Sequence, residues 1–190
     1  SKKGLGILAS IKRIDNMSFR SDRNAQQFDL FINFLPPTSE PHTYALPALY
    51  PYATQVNGEI GGQFEISYMI PRGSPLGGKY GTRLNFNSAI SNSIDKSVLE
   101  DGTRGLKGTQ GYISDYLKLG PIRYFQDLNA SISHKFSKQY KSQITFYHLE
   151  YNKTVLNDGV GDITILENPG MDSVININAM VWENQFKIPN

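Results

Sequence analysis

From Glu59 to Ser91 the chain alternates apolar and polar residues twice, with a short polar segment between the two runs. Ile60, Gly62, Phe64, Ile66, Tyr68 and Ile70 share one face; Glu59, Gly61, Gln63, Glu65 and Ser67 share the other. After Pro71–Lys79 the pattern resumes, with Tyr80, Thr82, Leu84, Phe86, Ser88 and Ile90 opposite Gly81, Arg83, Asn85, Asn87 and Ser91. Successive side chains of a strand point to opposite faces, so this period-two pattern predicts two half-buried strands joined as a hairpin. Each run is about 11 or 12 residues, beyond the roughly 5–6 of a typical globular strand and close to the roughly 9–11 of a tilted transmembrane strand. Length and alternation together predict a lipid-facing β-barrel wall.

Composition fits that expectation. The 190 residues are enough for one domain, and 19 basic against 17 acidic residues leave a charge of +2, too balanced for a nucleic-acid binder. Apolar residues make up 39% and aromatics 12%, with 11 Tyr and 10 Phe. A barrel wall needs apolar residues only at alternate positions and aromatic girdles at both interfaces. A soluble β-sandwich could share this composition. The absence of cysteine excludes disulfides and zinc–thiolate sites. No apolar stretch is long enough for a transmembrane helix.

The same alternation recurs near residues 4–14 (Leu5, Ile7, Ala9, Ile11) and 27–35 (Phe28, Leu30, Ile32, Phe34). It recurs again at 122–136, where Leu128, Ala130, Ile132 and Phe136 oppose Asp127, Asn129, Ser131 and Lys135. Runs at 140–152 and 173–186 complete seven expected strands, the last setting Ile175, Ile177, Ala179 and Val181 against Asn176 and Asn178. The connections between them alternate in length: about 11 residues, then 23, nine, 30, three and 20. Outer-membrane barrels sort their connections this way, with short periplasmic turns and long extracellular loops. Seven strands cannot close an even-numbered ring, and the chain ends Lys187-Ile188-Pro189-Asn190 without a final aromatic residue. The expectation is therefore an all-β, antiparallel up-and-down transmembrane β-barrel segment of about seven or eight strands, residues 1–190 forming one incomplete piece of a larger barrel.

Pairing Ile70 with Tyr80 sets Ile66 opposite Leu84, Phe64 opposite Phe86 and Glu65 opposite Asn85. Arg83 then lies one diagonal step from Glu65, within reach of a contact on a water-filled lumen. The expected lumen-facing polar residues are Glu59, Gln63, Glu65, Arg83, Asn85 and Asn87. The loop from Pro36 to Tyr52 carries five prolines and three tyrosines, Tyr44, Tyr50 and Tyr52. Such a loop is ordered rather than floppy, and its tyrosines serve either ligand or partner contact or packing against the wall.

Other motifs weaken on inspection. Gly73-Ser74-Pro75-Leu76-Gly77-Gly78-Lys79 matches seven positions of a phosphate-binding loop, but Tyr80 replaces the required Ser or Thr and both flanks read as strands. It reads as a hairpin turn. His42, His134 and His148 form no metal-ligand spacing, which leaves them surface or interface roles. Glu59 and Glu65 lie roughly 20 Å apart along a strand, too far for a glycosidase pair. No Gly-x-Ser-x-Gly elbow is present. A barrel hydrolase with a dispersed triad stays a third reading, but no catalytic residue, cofactor or metal is expected.

The runs Lys12–Arg23, His42–Gln55 and Leu76–Thr82 resemble an uncharacterised family of Bacteroidetes outer-membrane β-barrel proteins, over about residues 4–91. The resemblance implies a bacterial outer-membrane location and a longer parent chain, and supplies no catalytic residues. The functional expectation is a pore, transport component or structural subunit of an envelope complex. Its partners would be outer-membrane lipid and other envelope proteins, with no nucleic acid. The rival expectation is a soluble, secreted β-sandwich that binds carbohydrate or protein through Tyr44, Tyr50 and Tyr52.

Overall fold

The alternating runs pair in the order in which they occur. In the computed structural model, which describes residues 4–17, 19–22, 24, 30, 32, 36–100, 111–154 and 173–188, six strands form a single antiparallel sheet. They are β1 (Leu5–Asp15), β2 (Gly58–Ile70), β3 (Thr82–Val98), β4 (Tyr112–Lys135), β5 (Tyr140–Asn152) and β6 (Val174–Phe186), in the order β1-β2-β3-β4-β5-β6. A single helical turn, α1 (Ala45–Ala48), interrupts the connection between β1 and β2. The strand expected at 27–35 lies outside the described residues except for Leu30 and Ile32, neither of which is in a strand.

The sheet is open. Among the described residues β1 pairs only with β2, and β6 only with β5, so the sheet is not closed into a barrel. Six strands fall short of the roughly eight that the smallest membrane barrels need.

Register differs from the expectation by two residues. Ile70 faces Thr82, Ile66 faces Phe86 and Phe64 faces Ser88. The shift arises in the turn. Gly73 and Gly78 adopt positive φ, Gly73 N donates to Gly78 O at 2.7 Å, and the Thr82 hydroxyl caps Leu76 O. A β-carbon on Gly77 would sit 1.9 Å from Pro71 O, so this close approach admits only glycine. The segment is the strand-to-strand turn expected of it, with no helix to receive a phosphate. An even shift preserves the faces, but it breaks the expected Glu65–Arg83 contact: Glu65 faces Asn87, and Arg83 faces Met69 and Ser133.

The pairing carries the faces across all six strands. One row runs Ile7–Ile66–Phe86–Ala130–Phe146–Met180, and the next Leu5–Tyr68–Leu84–Ile132–Ile144–Trp182. On the opposite face run Gly6–Ser67–Asn85–Ser131–Thr145–Val181 and Leu8–Glu65–Asn87–Asn129–Tyr147–Ala179. The first is the apolar face and the second the polar face. Ile175 and Ile177 of β6 belong to the polar face, where they pack on a buried cluster that includes Phe125, Leu149 and Tyr151.

The connection expected at 92–121 is largely strand. Beyond Ser91 the β3–β4 pair passes through three register irregularities and bends toward the end of β1. There the Tyr112 and Ser114 hydroxyls donate to Asp15, and the Arg13 guanidinium lies over the Tyr116 ring at 5.3 Å. Ile60, Ile94 and Tyr112 form a small core beneath this corner. The remainder of that connection, 101–110, and most of the one after β5, 155–172, lie outside the described residues.

Candidate functional site

The polar face of the sheet is crossed by a strap, residues 36–57, which joins β1 to β2 around α1. Five prolines between residues 36 and 51 stiffen it, and buried Pro47 seats α1. Its far end is held by Glu59, a carboxylate with no exposed surface. Lys12 Nζ pairs with Glu59 Oε1 at 2.8 Å, while Gln55 N donates to Oε2 at 2.8 Å and the Tyr52 hydroxyl donates to the same oxygen. Lys12 also donates to Pro36 O at 2.9 Å and to the Thr54 hydroxyl at 2.8 Å, gathering both ends of the strap at one point. The Tyr52 ring stacks on Phe125 at 4.8 Å, and Tyr50 tilts against Tyr151 at 5.3 Å. Burial and the neighbouring Glu59 carboxylate both push the Tyr52 hydroxyl far above its ordinary pKa, so it stays protonated and donates to Glu59.

The middle of the strap is held by a second charge pair. His42 Nε2 lies 3.0 Å from Asp127 Oδ2, with the His42 side chain 8% exposed and Asp127 fully buried. Asn87 and Asn129 complete the environment of Asp127, their amides 3.3 and 3.4 Å from its oxygens. Hydrogen bonding to Asp127 raises the His42 pKa; burial opposes this, while the charges of Asp127 and Glu40 add to it. The ring also meets Tyr147 edge-on at 5.5 Å. Tyr44, next along the strap, donates to Glu183 Oε2 at 2.8 Å, which raises its own pKa.

Strap and sheet enclose a cavity of about 660 Å³. Glu40 and Tyr44 line it from the strap; Glu65, Asn129, Gln143 and Glu183 line it from the sheet. Its carboxylates belong to Glu40, Glu65 and Glu183, its rings to Tyr44 and Tyr147, and Ile7, Ile66 and Phe86 also border it. Such a lining suits hydrated polar solutes. Among the described residues no group of three metal-ligating side chains occurs.

Of the residues expected to line a lumen, Glu65, Asn85 and Asn87 border this cavity, and Gln63 joins them by donating to Asn87 at 3.0 Å. Glu59 is on the same face but sealed beneath the strap. Arg83 stands apart, exposed at the turn end. The expected contact tyrosines are turned inward: Tyr52 is buried, and Tyr44 and Tyr50 are half-buried against the sheet. Sequence reasoning missed His42, Asp127, Lys12 and Glu183 as a set. His42 and Asp127 lie far apart in the chain, and no local pattern joins them.

A protein-family model described as "Family of unknown function (DUF6029)" matches residues 1–190. The chain belongs to the DUF6029 family. No curated protein and no solved structure matches it. Membership of DUF6029 assigns neither an activity nor a cellular location, so the functional argument rests on the sheet and its strap.

Proposed function

We propose that this chain is a segment of an outer-membrane β-barrel, with the apolar face of the sheet against lipid and the strap folded into the lumen. One observation carries the reading: the apolar face is uncovered across six strands, while the polar face is the one that is packed. Phe64, Phe86, Phe136, Phe146, Trp182 and Phe186 retain between 40% and 73% exposure. At about 150–250 Å² per aromatic side chain, they alone expose on the order of 600 Å². Soluble monomers rarely leave a continuous patch beyond a few hundred Å². Along β4 and the residue after it, the positions on this face from Leu128 to Phe136 span roughly 27 Å, or about 20 Å along a barrel axis at the usual tilt. That approaches the roughly 25 Å of a lipid-facing band.

Lipid cannot satisfy an open strand edge, so on this reading further strands pair with β1 and β6. The short turns lie in the periplasm and the strap's ends at the extracellular side. The barrel then serves as a pore or transport component for small polar solutes, or as a structural subunit of an envelope complex. The rival sandwich reading loses its contact surface, because Tyr44, Tyr50 and Tyr52 are engaged with the sheet.

Reconstitution of the whole protein into planar bilayers tests the pore version. Discrete conductance steps are expected. Verified insertion without conductance leaves only the structural role, and solubility without detergent overturns the barrel reading altogether.

A further inference from the structure

Unpaired basic charge collects at one end of the strands. At the end formed by the two short turns stand Arg72, Lys79, Arg83, Lys135, Lys138 and Lys187, all exposed. Arg72 and Lys79 flank the β2–β3 turn, Lys135 and Lys138 the β4–β5 turn, and Lys187 follows β6. Among the described residues none of the six forms an ion pair. The segments 69–83, 133–143 and 182–188 contain a single acid, Glu183, which is turned into the cavity and occupied by Tyr44 and Gln185. Toward the opposite end bases and acids are matched: Arg13 pairs with Asp15, Lys12 with Glu59, Lys118 with Asp95 and Arg123 with Glu150.

Just inside this basic rim the apolar face becomes aromatic. Phe136, Tyr140 and Phe186 stack in series at 5.3 and 4.8 Å; Ile70, Thr82, His134, Ser142 and Asn184 form the next row, and Tyr68 and Trp182 stand in the row after that. The Lys135 ammonium lies 5.2 Å from the Tyr80 ring centre, and Lys79 lies 6.0 Å from it. A basic edge, then aromatic rings, then aliphatic side chains follow the sequence of a bilayer from headgroup through interface to acyl chain.

We propose that this rim docks the headgroups of anionic phospholipids, anchoring the turn end of the sheet in one leaflet. The proposal rests on the barrel reading. It goes beyond that reading because an apolar band alone has no preference between anionic and zwitterionic lipids. The phosphate diester is held by Arg72, Lys79, Lys138 and Lys187, whose long stems reach from the turns. The acyl chains lie on Phe136, Tyr140 and Phe186. Continuity of the basic rim with the apolar face identifies a lipid rather than a free phosphate.

The test uses the whole protein in neutral detergent micelles, titrated with fluorescent phosphatidylglycerol and, separately, phosphatidylcholine. Phosphatidylglycerol is expected to bind more tightly. Each basic residue near a membrane surface contributes about fivefold, so Arg72→Gln, Lys79→Gln, Lys138→Gln and Lys187→Gln together should erase at least a hundredfold of that preference. High salt should do the same. Equal binding of both lipids, or an unchanged preference in the fourfold variant, overturns the proposal and leaves the rim to an acidic protein partner. Competition by glycerol phosphate as strong as by the intact lipid also overturns it, in favour of a free phosphate. A protein that stays soluble without detergent and takes up neither lipid instead overturns the barrel reading beneath it.

Discussion

Replacing His42 with glutamine removes the imidazole that faces Asp127 and is its counter-ion when protonated. Asp127 is wholly buried, and its other partners are two amides at 3.3 and 3.4 Å. Stripping one member from a buried ion pair costs about 3–5 kcal/mol, because the other charge is left uncompensated. The two amides keep part of that stabilisation, so the loss here is about 2–3 kcal/mol, or roughly 30- to 150-fold in an equilibrium constant. It falls on the strap rather than the sheet, since lifting residues 40–48 rehydrates Asp127 without breaking any strand pairing. Amide hydrogen exchange reads this directly at Ala48 and Leu49, whose N–H groups bond Tyr44 O and Ala45 O. Their protection should drop by that factor while β3 and β4 amides stay unchanged. Replacing Asp127 with asparagine as well should restore much of it. The pair also predicts a pH dependence. The His42 pKa is raised in the folded protein, so its contribution is fully present below about pH 6.5 and is lost as pH rises through the folded value. Intrinsic-rate-corrected protection of the strap should decline across that upper range in the wild type and stay flat in His42→Gln. Unchanged protection in the variant refutes the role given to the pair.

Two further substitutions probe the anchors. Glu59→Gln turns an amide toward Lys12 or Gln55 and should cost about 3–5 kcal/mol in urea unfolding, with partial recovery when Lys12→Met is added; a loss below about 1 kcal/mol would show that the carboxylate is not the strap's fastener. Gly77→Ala forces a β-carbon against Pro71 O and should destabilise the β2–β3 turn by about 1–3 kcal/mol, whereas exposed Leu76→Ala should stay within about 0.5 kcal/mol. Equal effects of the two would contradict the geometry of the turn.

Much of the sheet is legible in the sequence, because a strand with one packed face must alternate. The Glu59–Ile70 and Tyr140–Asn152 runs end within a residue of the observed strands. Alternation fixes which residues share a face but not the register, since a slip of two keeps the pattern; the Gly73–Gly78 turn decides that. Nor does it say which face is outward. Ile175 and Ile177 look like lipid-facing positions, yet they lie on the polar side because Tyr50 and Tyr151 supply an apolar surface there. The ends of β3 and β4 were hidden because the irregularities near Asn92 and Ile94 break the period. Least legible was the strap. Its prolines and tyrosines announce order, but its fasteners, Lys12–Glu59 and His42–Asp127, join residues far apart in the chain.

Trp182 is the single tryptophan in the 190 residues, 67% exposed on the apolar face, with its indole N–H donating to Ser142 Oγ at 2.9 Å. Its fluorescence, isolated as the difference between the protein and its Trp182→Phe variant, reports what that face touches. Reconstituted in vesicles whose acyl chains carry bromine, it should emit in the blue and be strongly quenched, while iodide in the buffer should have little effect. Red-shifted emission that iodide quenches and brominated lipid does not would contradict a lipid-facing sheet.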